Sequence, residues 1–184
     1  MEKNLAVTSE LNKKYANKVV QNVGLCISVF DILEASEGFI YHSDGASYYK
    51  VKFRIIVFRP YIGEVLTGKI KSSTEKGIKV SMGFFDDIFI PADFMQPGTQ
   101  FVNEDQVFLW NVDGAEFWMD LNQTIRFRVQ AEAFEDVTPR RANTGPRRAS
   151  LLEASSTETP KIAPYSLTCS VNEDGLGVTS WWKM

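Results

Sequence analysis

Lys69, Lys71, Lys79 and Phe89 are the side chains of this sequence whose types and spacing suggest a chemical task. They lie in GEVLTGKIKSSTEKGIKVSMGFFDDIFIPADF, residues 63–94, where apolar and polar residues alternate. Alternation with a period of two places one set of side chains on each face of a strand. Cations beside an aromatic ring form the pairing that a single-strand groove uses for phosphates and stacked bases. The competing reading is that the lysines guard strand edges and Phe89 covers a neighbouring domain. Asp86 and Asp87 stand beside this set and would repel phosphate.

Other chemistry finds little support. One histidine, His42, and two cysteines, Cys26 and Cys169, are too few for a zinc site of the usual ligand types, so no metal or cofactor is expected. No Ser/His or Cys/His spacing suggests a nucleophile, and the carboxylates fall in no pattern that pairs an acid with a base, so no catalytic residue is expected. His42 sits in the turn-rich YHSDGAS and reads as a surface residue. Both cysteines lie in strand-like apolar segments and read as small packed hydrophobes in a reducing compartment. A net charge of −3 and a pI near 5.3 argue against coating nucleic acid through bulk electrostatics. Any such contact must be a local patch. No apolar run reaches the roughly 18 to 20 residues that span a bilayer, and MEKNLAVTSE does not read as a signal peptide, so no membrane partner is expected.

The elements that would position the patch follow from periodicity. Residues 9–23 read as an amphipathic helix capped by Ser9, with Leu11, Tyr15, Val19 and Val23 at four-residue spacing. GLCISVFDIL and YYKVKFRIIVF read as strands, the second with Val51, Phe53, Ile55 and Val57 on one face and Lys50, Lys52 and Arg54 on the other. Helix and strands form an α+β amino-terminal domain, residues 1–60, ended by Pro60. In residues 61–184, three strands flank turns at 72–77 and around Gly83, with Ile78, Val80, Met82, Ile88 and Ile90 directed inward. Gly68 suits a barrel corner. Phe108 to Trp118 reads as a hairpin turning at Asp113-Gly114. TIRFRVQAEAF is a further strand whose Arg126 and Arg128 extend the basic face or solvate an outer surface. Residues 138–163 are rich in Pro, Ser, Thr and Gly and read as a disordered insertion. Within it, Arg147-Arg148-Ala149-Ser150 resembles a basophilic kinase target, a short match that recurs by chance. Two final strands, with a turn at Asp174-Gly175, are expected to close an all-β, OB-type barrel.

The blocks NKVVQNVGLCISVFDI, DGASYYKVKFRIIVFRPYIGEVLTGKI, GIKVSMGFFDDIFIP and APYSLTCSVNEDGLGVTSWW resemble the family of the larger stalk subunit of eukaryotic RNA polymerase III. This family is paralogous to the seventh subunit of polymerase II and to the matching stalk protein of archaeal polymerase. The resemblance covers most of residues 11–184, and VSMGFFDDIFIP and GLGVTSWW are its discriminating stretches. It implies a non-catalytic nuclear protein whose amino-terminal domain docks on the polymerase III core and whose barrel is S1-like. It also implies a heterodimer with the smaller stalk subunit, contact with nascent RNA or initiation factors, and a role in initiation. Two departures stand out. MEKNLAVTSE does not resemble the strand that precedes the helix in the family, so the amino-terminal sheet is expected without its first strand. Lys79 and Phe89 stand where S1 domains usually carry an aromatic and a histidine. A module that binds only proteins is one alternative, favoured by the acidic pair and the negative charge; a free-standing S1 protein is another.

Overall fold

The computed structural model describes residues 3–42, 45–112, 114–136 and 163–182. They form two compact units, Met1–Tyr61 and Ile62–Met184.

The first unit holds helix α1, Lys3–Tyr15, and strands β1, Lys18–Val20, β2, Gly24–Ala35, β3, Phe39–Ile40, β4, Ser47–Tyr48, and β5, Val51–Phe58. The helix begins and ends earlier than its periodicity predicts: Ser9 lies inside it, and Val19 and Val23 lie beyond it. Asn17 ends it in the left-handed region, at φ 57°, and donates its N–H to Cys26 O at 2.8 Å. Lys18–Val20 then pair antiparallel with Gly24–Cys26, a pairing that suits the β-branched Val19 and Val20 better than another helical turn. The sheet order is β1-β2-β5, all antiparallel, while β3 and β4 pair separately. α1 packs on β2, where Asn12 Oδ1 accepts the Val29 N–H at 2.8 Å, and Tyr15 meets the Phe53 ring at 5.6 Å. Along β2 the register shifts three times, leaving Ile27, Phe30 and Leu33 unopposed and exposed.

The second unit holds β6, Val65–Thr74, β7, Gly77–Ser81, β8, Ile88–Pro91, β9, Thr99–Val102, β10, Val107–Val112, β11, Ala115–Met119, β12, Thr124–Phe134, β13, Tyr165–Ser170, and β14, Gly177–Val178. β6 to β8 form a meander, β12 pairs with β6, and β13 pairs with both β12 and β8, so five strands close into a barrel. Its interior is apolar because the alternation is regular: Ile70, Ile78, Val80, Ile88, Ile90, Ile125, Phe127, Val129, Leu167 and Cys169 are at most 1% exposed. Met82 departs from the expected inward set. It lies past the end of β7 and is half-buried. The turn expected over 72–77 is also shorter, since β6 runs to Thr74 and pairs it with Gly77. β13 alone closes the ring; β14 adds to the same edge of β12 farther along, at Ile125 and Arg126, so the final strand comes in two pieces.

β9, β10 and β11 make a separate antiparallel sheet, in which Val112 stands opposite Ala115 across β10 and β11; Asp113 of the expected turn lies outside the described residues. Trp110, Phe117 and Trp181 stack together with centroids 5.3 to 5.5 Å apart. Cys26 and Cys169 are buried free thiols. The expected insertion at 138–163, with its kinase-like Ser150, lies outside the described residues except for Ala163. The two ends of that connection meet, as Glu135 N–H donates to Pro164 O at 3.1 Å.

Two glycines are required by this closure. A Cβ at Gly68 would sit 2.6 Å from Val80 Cγ1 and 2.9 Å from Ser81 O. Gly77 has φ +149°, and a Cβ there would sit 2.2 Å from Ile90 O. Backbone cannot yield as a side-chain tip can. Gly77→Ala is therefore expected to lower unfolding free energy by about 3 kcal/mol, combining overpacking with backbone strain. Gly83→Ala, at φ +87° with open space around it, is expected to cost about 1 kcal/mol. Equilibrium urea unfolding of the full chain checks both; equal losses would contradict the close packing at Gly77.

Candidate nucleic-acid interface

The barrel brings the four sequence-predicted residues onto neighbouring strands. β6 carries Lys69 and Lys71, β7 carries Lys79, and β8 carries Phe89. Lys79 stands opposite Phe89 across β7 and β8, and opposite Ser72 across β6 and β7. Lys69 stands opposite Ser81 on one side and Thr124 on the other. All three lysines are exposed and Phe89 is half-buried. Two shallow grooves run beside them. One, of about 390 Å³, is walled by Thr67, Lys69, Met82 and Thr124. The other, of about 180 Å³, is walled by Lys79, Asp87, Phe89 and Ser166.

Lys71 behaves differently from the other two cations. The register shift between Ile70 and Ser72 takes it out of the ladder, and its Nζ lies 2.6 Å from Asp86 Oδ2. Ser81 Oγ donates to the other oxygen of Asp86 and itself accepts the Gly83 N–H at 3.0 Å. The Lys71 hydrogen bond, then the Ser81 hydrogen bond, hold the Asp86 carboxyl below its usual range, against a small opposing effect of burial. Asp86 thus neutralises Lys71 instead of merely standing near it. Among the described residues, no carboxylate pairs with Lys69 or Lys79. Their charge is available to a phosphate.

The two arginines of β12 are engaged elsewhere. Arg128 reaches Glu173 Oε2 through Nε at 3.0 Å and Nη2 at 2.7 Å, and Gly63 O through Nη1 at 2.7 Å. Arg126 Nη1 donates to Gly175 O at 3.4 Å. They secure the chain leading into β6 and the turn before β14, so they do not extend the basic face. His42 is exposed. Among the described residues, no group of three or more His, Cys, Asp or Glu could hold a metal ion. Burial pushes the Cys169 thiol up to about 12, so it is not a thiolate at neutral pH.

Sequence reasoning missed the Lys71–Asp86–Ser81 arrangement. The acidic pair is visible in GFFDDIF, but only the turn after β7 shows that Asp86 reaches back to Lys71. It also missed Thr124 and Ser166, which line the grooves from strands distant in sequence.

Residues 64–182 match the family described as RNA polymerase III subunit Rpc25. Residues 1–45 match the SHS2 domain found in the N terminus of Rpb7p, Rpc25p and MJ0397. DNA-directed RNA polymerase III subunit rpc8 of Schizosaccharomyces pombe is 43% identical over 184 residues, spanning 97% of this chain and 88% of that protein. The RPC8 subunit of Bos taurus is 44% identical over 183 residues, again spanning 97% and 88%. RNA polymerase II subunit RPB7 of Saccharomyces cerevisiae is 36% identical over 59 residues, 32% of this chain and 34% of that protein.

The Lys71–Asp86 pair gives a pH prediction. A carboxyl lowered in the folded state stabilises it above the ordinary carboxylate pKa, and that contribution is lost as pH falls through the lowered value. Both groups are about half exposed, so the contribution is expected to stay below about 1 kcal/mol. In an NMR titration of side-chain carboxyls, Asp86 is expected to titrate below the ordinary aspartate value, and Lys71→Met is expected to move it back toward that value. An unchanged midpoint in that variant would show that Lys71 is not the cause.

Proposed function

Since the chain belongs to the RNA polymerase III subunit Rpc25 family, paralogous to Rpb7 and archaeal Rpo7, we propose that it serves as a non-catalytic stalk subunit of RNA polymerase III. In this reading it acts in the nucleus, pairs with the smaller stalk subunit, docks on the polymerase core through residues 1–60, and contributes to initiation. Residues 61–184 form an S1-like OB domain that contacts nascent RNA. The extent of the match to the Rpc8 proteins supports the subunit assignment. The observation that carries the RNA contact is that Lys69 and Lys79, on adjacent strands of a closed barrel, have no carboxylate partner among the described residues, and that Phe89 is the register partner of Lys79. Two cations supply phosphate attraction and the ring supplies a stacking surface. Lys71 joins them only when Asp86 releases it.

A second reading has one observation in its favour: Asp86 neutralises Lys71, and Asp87 adds negative charge to the groove beside Phe89. Under it the same face binds an initiation factor and never RNA. Salt dependence separates the two. Lys69→Gln with Lys79→Gln is expected to weaken single-stranded RNA binding across all sequences and to reduce the log–log salt slope by about 0.7 per lysine. Asp86→Asn is expected to strengthen binding and steepen the slope by about the same step, because it frees Lys71. Fluorescence anisotropy on the heterodimer at several salt concentrations measures both. If neither variant moves the slope, the face does not hold RNA, and the protein-only reading takes its place.

A further inference from the structure

The two grooves beside the barrel cations share no lining residue. Ser81 lines the larger and Asp86 the smaller, yet these two side chains touch, because Ser81 Oγ donates to Asp86 Oδ1. Lys71 lines neither groove, and its Nζ reaches Asp86 Oδ2 at 2.6 Å. The Lys71–Asp86–Ser81 contact therefore stands where one groove stops and the other begins. A strand crossing the outer face from β12 to β8 covers three strand spacings, about 15 Å, and must pass over it.

A carboxylate held between an ammonium and a hydroxyl occupies a donor set that a phosphate oxygen also satisfies. The hydroxyl is already aimed. Ser81 Oγ accepts the Gly83 N–H at 3.0 Å, which leaves its own hydrogen for the anion. The turn that carries Asp86 is pinned on both sides: Phe85 is 6% exposed and meets the Tyr165 ring at 5.5 Å, and Ile88 is 1% exposed in the barrel interior. Asp86 can thus leave by turning about its own side-chain bonds while the backbone stays. Its side chain is 47% exposed and that of Lys71 is 56% exposed, so the pair holds weakly and water can receive the freed carboxylate.

We propose that Lys71 Nζ and Ser81 Oγ form a phosphate subsite that the chain's own Asp86 fills in the absence of ligand, and that an RNA strand crossing both grooves sets a backbone phosphate there in its place. That the phosphate belongs to RNA rests on the function proposed above; the donor set does not. Lys69 and Lys79, which have no carboxylate partner among the described residues, lie on the two strands that meet at this contact. A strand held by both presents its intervening phosphate at high effective concentration, which an isolated anion lacks. The subsite therefore favours a continuous strand over free phosphates, and its internal carboxylate keeps small anions out.

A double-mutant cycle on the full chain tests this, with Lys71→Met, Asp86→Asn and the two combined, read with an RNA of about eight nucleotides and with tripolyphosphate at about 0.15 M salt. With Lys71 present, Asp86→Asn is expected to tighten the RNA about fourfold, the gain of one phosphate contact at that salt concentration. In the Lys71→Met background the same change is expected to gain about twofold or less, because an unpaired Asp86 turns into solvent. Asp87→Asn removes a neighbouring charge without touching Lys71, and its effect is expected to be equal in both backgrounds. Adding Ser81→Ala to Asp86→Asn is expected to give back part of the gain. Equal gains from Asp86→Asn in both backgrounds with both probes, or the same coupling from Asp87→Asn, would overturn the proposal while leaving RNA binding through Lys69 and Lys79 intact. Coupling with tripolyphosphate in a chain that binds no RNA would keep the subsite, and the RNA reading of the face would be the one to fail. Coupling with tripolyphosphate alone, in a chain that does bind RNA, would overturn the crossing path.

Discussion

The backbone pairing of β13 with β12 on one side and β8 on the other is what the second unit depends on. Without it, β6, β7, β8 and β12 are an open sheet with two raw edges, and the interior isoleucines and valines face water. With it, a ring exists and each strand acquires an inside and an outside. The outward positions of Lys69, Lys79 and Phe89 are therefore a result of closure, not an independent design. Inside, the buried set supplies the driving force: Ile78, Val80 and Ile90 are fully excluded from solvent, and so are Phe127 and Leu167 from the other half of the ring. Gly68 and Gly77 make the approach possible, since a methyl group at either position would collide with neighbouring chain.

Electrostatics then divides the outer face. The cations sit on adjacent strands, yet one of them is consumed locally. The register shift after Ile70 swings Lys71 toward the turn that follows β7, where Asp86 and the Ser81 hydroxyl wait for it. A net negative chain thus keeps a small patch of free positive charge bordered by its own acids. Such a patch favours contacts of modest strength that gain from other subunits nearby, which suits a member of a large assembly better than an independent RNA-coating protein.

Much of the barrel was legible in the sequence because period-two patterning is local. Ile70, Ile78, Val80, Ile88 and Ile90 announce their face within a few residues, and the expected hairpin within 108–118 is there in the pairing of β10 with β11. The failures came where a distant partner decided the outcome. Leu11 and Tyr15 suggested a helix running to Val23, but the pairing of Lys18–Val20 with Gly24–Cys26 ends it sooner. Met82 continued the alternation in sequence after the strand had already stopped. The final strand was read as two closing strands, whereas one closes the ring and a two-residue piece rejoins β12 beyond an excursion at 171–176. Of the candidate site, the positions of Lys69, Lys79 and Phe89 were readable, but the capture of Lys71 was not, because nothing in the spacing tells how far a turn lets Asp86 reach.

The bond from Glu135 N–H to Pro164 O draws together the two ends of the long connection between β12 and β13. Chain statistics make the cost of closing such a span depend on the logarithm of its length, so that doubling it adds only about 0.6 kcal/mol. The ring therefore asks only that the two anchors meet, and the length of chain between them weighs little in its stability.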